Sequence, residues 1–250
     1  MKLWKKKVGD IVSKFYGTYN HQFHHKNGHL ILMYHSVSST TCGGYSDIYT
    51  INKSLFQEQM LLLLSSMDVK ELTEESIFQN GASVTFDDGF ADNLDVVAPI
   101  MDDLKIPFTV FVTSDYLRST SNKYLSINGL RDLSTLSNVT IGAHGTSHCR
   151  LTDCNDTELN KEIFNSKKFI EDTVGISIES MSYPHGAVDL RVINKVILGG
   201  YKLAVGSRFG INQPNPDRYD ASRTEIWSID GTETFLAKIR GDWDWMRWKH

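Results

Sequence analysis

The chain has 250 residues, with 26 Lys and Arg against 30 Asp and Glu and a formal charge of -4 at pH 7. Its 40% hydrophobic and 22% charged content is that of an ordinary globular protein, which excludes a low-complexity or disordered chain, and the lack of a basic balance excludes an overall nucleic-acid footprint. Cysteines stand at positions 42, 149 and 154; an odd count without a Cys-x-x-Cys pair argues for reduced thiols rather than a disulfide framework.

In chain order, residues 2–19 place Trp4, Val8, Ile11, Val12, Phe15 and Tyr19 on one helical face, with Lys on the others. The apolar face of this amphipathic helix is expected to dock on the body of the protein or on a sister chain, with a membrane surface as the alternative. Residues 19–27 read as a polar linker. His21, His24, His25 and His29 in and beside it lack a supporting carboxylate for a functional metal site. The first 26 residues show neither the apolar core nor the cleavage site of a secretory signal. No apolar run approaches the ~20 residues that cross a bilayer. A cytoplasmic location is therefore expected, peripheral at the inner membrane if the termini touch lipid.

From residue 30 onward, short apolar runs alternate with helical patterns. Strands are predicted at 30–34, 82–86, 108–112, 139–143, 180–183, 203–206 and 224–227. Helices are predicted at 53–66, 91–104, 156–174 and 190–198, the third capped by Asn155 or Asp156. Such alternation predicts an α/β fold around a parallel sheet, open or closed into a barrel, with ligands at the carboxyl ends of the strands. Three loops satisfy that rule: Asp87-Asp88-Gly89 after 82–86, His144-Gly145-Thr146-Ser147-His148 after 139–143, and Pro184-His185-Gly186 after the strand that ends at Tyr183.

Two adjacent carboxylates after an apolar strand are costly to bury without a cation or donors around them. Two His four residues apart can reach one ion. Asp88, His144 and His148 are thus the candidate ligands of a divalent metal, with zinc expected and cobalt, nickel or iron compatible with the same donors. Asp87, not spent on the metal, is placed to act as general base. A turn is the plain alternative for Asp87-Asp88-Gly89 taken alone.

These residues, with Val84-Thr85-Phe86-Asp87-Asp88-Gly89-Phe90-Ala91-Asp92-Asn93, the run 106–113 and the opening Leu32-Met33-Tyr34-His35-Ser36-Val37, resemble the polysaccharide deacetylases (nodulation-protein homology domain, carbohydrate esterase family four) of the bacterial branch. The resemblance spans about residues 29–230. It implies a distorted (β/α)7-type barrel, removal of acetyl groups from N-acetylated sugars, Asp87 as base and Asp88, His144 and His148 as metal ligands. It also implies an oxyanion contact from the amide of His185 and an acetyl-methyl pocket lined by Leu151. A domain division follows: helix and linker at 1–28, catalytic domain at 29–235, and a tail at 236–250 containing Trp243, Trp245 and Trp248 among cationic residues.

Three positions depart from the family pattern. Gly145 stands where Ser or Thr is usual. Ser182 replaces an Arg that orients the base, and Arg223 is the candidate substitute. The late His that serves as general acid has no counterpart before His250, which leaves His35 and His185 as alternatives. Three further functions stay open on the same scaffold: an O-acetyl esterase, another amidase, or a carbohydrate-binding protein without turnover.

Overall fold

The computed structural model describes residues 3–23, 27–38 and 47–249; Cys42, His24, His25 and His250 lie outside them. Helix α1 (Leu3–Phe23) leads into strand β1 (His29–Tyr34), then the short parallel pair β2 (Ser36–Ser38) and β3 (Thr50–Asn52) and helix α2 (Lys53–Ser66). Next come β4 (Gly81–Phe86), α3 (Ala98–Asp103), β5 (Phe108–Val112), α4 (Ile127–Ser134), β6 (Val139–Ala143), α5 (Asp156–Asn160) and α6 (Ser166–Val174). The chain finishes with β7 (Ser180–Ser182), α7 (Leu190–Leu198), β8 (Leu203–Val205), β9 (Thr224–Glu225) and α8 (Thr232–Ile239). Seven strands form one parallel sheet in the order β8-β7-β6-β5-β4-β1-β9.

The sheet curls into a half-barrel. Ile31 of β1 and Phe111 of β5 meet Leu203 and Val205 of β8 in one inner cluster. Residue alternation explains the rest. In β4, Ala82, Val84 and Phe86 face the main core beneath the helices. Ser83 and Thr85 face inward instead, where they bond His29 and Arg223. A strand with period 2 thus carries an apolar outer face and a polar inner one, and the next inward position is Asp87. Between β8 and β9, Ala221 donates to Ala204 and accepts from Gly206. The segment before β9 therefore lies on β8, while β9 itself pairs with β1.

The predicted strands and the 53–66 and 190–198 helices agree with the structure within about two residues. The pattern at 91–104 splits into a π-helical turn at Asn93–Val97 and α3. The 156–174 pattern is likewise α5 and α6 around a π-turn at Lys161–Asn165. Its start is fixed by Asn155, which caps Thr157 and Glu158 while Glu158 bonds back to Asn155, a capping box. The boundary drawn at 235/236 falls inside α8.

One sequence expectation is overturned, that of the α1 docking face. His29, by contrast, has a structural place: it is fully buried, with Nε2 2.8 Å from Ser83 Oγ and Nδ1 3.2 Å from the Gln79 carbonyl. Burial pulls its pKa down to about 4, so it is neutral. Helix α1 does pack on the body, but with the opposite face. Gly9, Ser13 and Gly17 point inward; a Cβ on Gly9 would come within 2.6 Å of the Trp243 ring, and Trp245 Nε1 donates to Ser13 Oγ at 2.8 Å. Four of the six apolar residues assigned to docking are outside, with Val8 49%, Ile11 56%, Phe15 76% and Tyr19 64% exposed. Small residues allow close helix approach, and here that approach outweighs burial of the larger side chains. Trp243 is buried against Trp227 and Phe209, whereas Trp248 is 72% exposed. Among the described residues, no helix is long and apolar enough to cross a membrane.

Candidate active site

The loops after β4, β6 and β7 meet at the carboxyl end of the half-barrel, around a cavity of about 580 Å³. Asp87, Asp88, His144, His148, His185 and Arg223 all line it, as does His35 after β1. Three of these residues have left-handed backbones: Asp88 (φ 72°), His148 (φ 63°) and His185 (φ 58°). Non-glycine residues rarely adopt this conformation, and it concentrates at functional sites.

Asp88, His144 and His148 each offer one ligand atom, all within 4.8 Å of one another. Asp88 Oδ1 lies 3.6 Å from His144 Nε2 and 3.2 Å from His148 Nε2. It is buried without a hydrogen-bond partner. His144 Nδ1 is 2.8 Å from the Ser182 carbonyl, which fixes the proton there and leaves the Nε2 lone pair turned to the same point. Converging lone pairs around an unsatisfied buried carboxylate oxygen fit a divalent cation.

Asp87 is held differently. Arg223 Nη1 donates to Oδ1 and Nη2 to Oδ2, both at 2.7 Å, and Ser182 Oγ donates to Oδ2 at 3.1 Å. Arg223 is fully buried and spends its remaining N–H groups on the Gly206 carbonyl, Thr85 Oγ1 and Ser182 Oγ. Five donors meet five acceptor contacts, the condition for burying a guanidinium. Burial would raise the Asp87 pKa, but the charge and hydrogen bonds of Arg223 outweigh it and hold the carboxyl far below its usual range. Arg223, the candidate substitute for the Arg absent at Ser182, reaches Asp87 from the residue just before β9.

The ligand loop has a brace that sequence reasoning missed. Glu162 accepts from the amides of Thr146 and Ser147 at 2.7 and 3.0 Å and from Ser147 Oγ at 2.7 Å. Gly145, with φ 74°, lies so close that a Cβ would sit 2.9 Å from Glu162 Oε2, so Ser or Thr would collide with the brace. The only sequence signal is an acid among the inward residues Leu159, Ile163 and Ser166. Asn93, in the other π-turn, donates to the His35 carbonyl at 3.0 Å, and its neighbour Asp92 accepts from Ser36 Oγ at 2.6 Å and the Val37 amide at 3.2 Å. Both π-turns therefore carry site-supporting residues, as such turns often do.

Burial pushes the Asp92 carboxyl up to about 6, against the hydrogen bonds from Ser36, Val37 and Asn93. A raised pKa favours folding most below the unfolded value near 3.8, and that contribution is lost as pH rises through about 6. Asp92→Asn is expected to remove this loss. Urea unfolding at several pH values should show variant stability gaining on wild type between about pH 4 and 7; parallel curves would refute the assignment.

Leu151, expected in a methyl pocket, is fully buried in the main core and is absent from the cavity wall. His185 stands at the rim, its ring 4.5 Å from that of His148 and its Nε2 3.2 Å from the His148 carbonyl. On the other side of His148 lies an aromatic shelf: Tyr116, 6.0 Å from the His148 ring, stacks on Tyr124 at 4.2 Å, and Tyr124 contacts Phe90 at 5.2 Å.

The fold and site define a half-barrel α/β protein with an Asp-His-His group able to hold a metal beside an Arg-clamped carboxylate. The sequence profile described as "Polysaccharide deacetylase" matches residues 79–204, and the chain belongs to that family of carbohydrate deacetylases. YxkH of Bacillus subtilis (strain 168), a candidate polysaccharide deacetylase, is 22% identical over 206 residues, covering 78% of this chain and 70% of its own. Among solved structures, the Streptococcus pyogenes deacetylase PplD in complex with acetate superposes with a TM-score of 0.74 at 18% identity, covering 84% of this chain and 97% of its own. A de-N-acetylase from Aggregatibacter actinomycetemcomitans gives 0.71 at 20% identity, with 84% and 99% covered. At these identities the structural likenesses establish the shared fold.

Proposed function

We propose that the protein is a metal-dependent hydrolase that removes acetyl groups from N-acetylated sugars, with Asp87 as general base. The observation that carries this reading is the separation of duties within one carboxylate pair. Asp88 faces the two imidazoles, while Asp87 is turned to Arg223. When bound, a divalent ion, zinc by donor type, would supply Lewis acidity that polarises the acetyl carbonyl and lowers a water's pKa towards ~7.

A carboxylate oxygen of Asp87 takes the proton of the attacking water, and Arg223 keeps that carboxylate ionised and oriented. The amide of His185, in the turn after Pro184, is the proposed donor to the oxyanion that develops on the acetyl oxygen. The aromatic shelf of Phe90, Tyr116 and Tyr124 offers a stacking surface for a sugar ring. Breaking the C–N bond expels an amine that must be protonated. His35 suits that role better than His185: it lies on the cavity wall against Tyr49 with a ring-centroid separation of 4.7 Å, and its Nδ1 is buried without a partner. Acetate and a free sugar amine are the products.

His35→Gln tests the acid. Turnover of an N-acetyl saccharide is expected to fall by ~100-fold or more, while 4-nitrophenyl acetate, whose leaving group needs no proton, stays within a few-fold of wild type. Equal losses on both substrates would remove His35 from this role. An O-acetyl preference of the wild-type protein would favour the esterase alternative, and no turnover of any acetylated saccharide would favour the binding protein.

A further inference from the structure

The outward face of α1 has no role in the site described above. Val8, Ile11, Phe15 and Tyr19 follow one another at spacings of three and four, which aligns them along one side of the helix. All four are about half exposed or more. Lys7 and Lys14 border this stripe on one edge and Lys5 on the other, each exposed. The one acid of the helix, Asp10, is turned inward, where Lys6 holds it at 3.0 Å beside Thr234. The inward face is already occupied by the chain's own C-terminal segment, through Trp243 at Gly9, Trp245 at Ser13 and Asp242 at Gly17. Exposed Trp248 meets Tyr16 edge-on at 6.0 Å and extends the aromatic surface beside the helix.

We propose that this outward face of α1 docks on an anionic lipid bilayer. An apolar stripe with Phe at its centre suits the acyl boundary, and lysines along both edges suit acidic headgroups. Charge separates this occupant from a second copy of the chain. Two such faces packed together would bring lysine edges against lysine edges, whereas an anionic surface complements them. The helix lies in the plane of the interface, held to the protein by its small-residue face, and inserts side chains without spanning. The inference is independent of the hydrolytic chemistry.

The test is flotation of the full-length protein with vesicles of phosphatidylglycerol and phosphatidylcholine, against phosphatidylcholine alone. Wild type is expected to float with the anionic vesicles, and less so at high salt. Ile11→Glu with Phe15→Glu should weaken partitioning by more than ~10-fold. Lys7→Gln and Lys14→Gln should each weaken it by about 5-fold. Because these side chains are exposed, the variants should keep the wild-type thermal midpoint and turnover of a soluble acetylated substrate. Failure to float, or equal flotation of wild type and the Ile11→Glu/Phe15→Glu variant, overturns the proposal. So does a concentration-dependent dimer, seen by light scattering and lost in that variant, because it would assign the face to a second copy.

Discussion

Arg223→Met is expected to cost the protein about 3–5 kcal/mol of stability and at least ~100-fold in turnover. The stability loss arises because Asp87, 3% exposed, keeps its charge in a buried place after its bidentate partner is gone. Gly206, Thr85 and Ser182 lose a donor at the same time. The catalytic loss arises because a base free to rotate no longer points its lone pair at the attacking water. Arg223→Lys retains the charge but cannot reproduce the planar fork, so it should recover part of the stability and little of the turnover. A double-mutant cycle with Asp87→Asn separates the two effects. Once the carboxylate charge is removed, replacing Arg223 should cost much less than in wild type, since no unpaired anion remains. Additive urea-unfolding losses would mean that the pair is not coupled as its geometry implies.

Asp87→Asn carries the second large effect. The amide cannot accept the proton, and loss of a positioned general base costs about 10²- to 10⁴-fold. Metal content, by contrast, should be unchanged, because Asp87 is not one of the three residues whose ligand atoms converge. Asp88→Asn, measured beside it, should lose both metal and turnover. The contrast between neighbouring positions is the informative result. If Asp87→Asn lost metal as readily as Asp88→Asn, the division of roles within the pair would be wrong.

The chemistry of the site was more legible in the sequence than its support. Asp87, Asp88, His144 and His148 announce themselves because ionisable residues follow apolar strands, where sheet geometry places ligands. Arg223 was reachable as the replacement for the Arg missing at Ser182, a family pattern rather than a local one. Glu162 was not reachable, because an acid in a helical pattern ordinarily faces solvent and only the tertiary structure turns this one under the 145–147 loop. The two π-turns escaped for a related reason: one extra residue in a turn leaves the helical period nearly intact.

Helix α1 shows a different limit. Periodicity finds that a helix has two unlike faces, but it does not say which face is inward. The stripe of Val8, Ile11, Phe15 and Tyr19 reads as a packing face in any window, yet Gly9, Ser13 and Gly17 allow the closer approach to Trp243 and Asp242. The strand pair β2 and β3 was missed because neither stands apart in the sequence: β2 follows β1 after a single residue, and β3 runs directly into α2. Helices α4 and α8, each of eight residues, are also short for a periodic signal.

The most direct test of the central claim is acetate release from N-acetylated saccharides by the protein loaded with zinc, stripped with chelator, and reloaded. The account expects release from the loaded protein, loss on stripping together with about one ion per chain, and recovery on reloading, with Asp87→Asn inactive at full metal occupancy. Release that persists in the stripped protein, or that Asp87→Asn leaves intact, would contradict it.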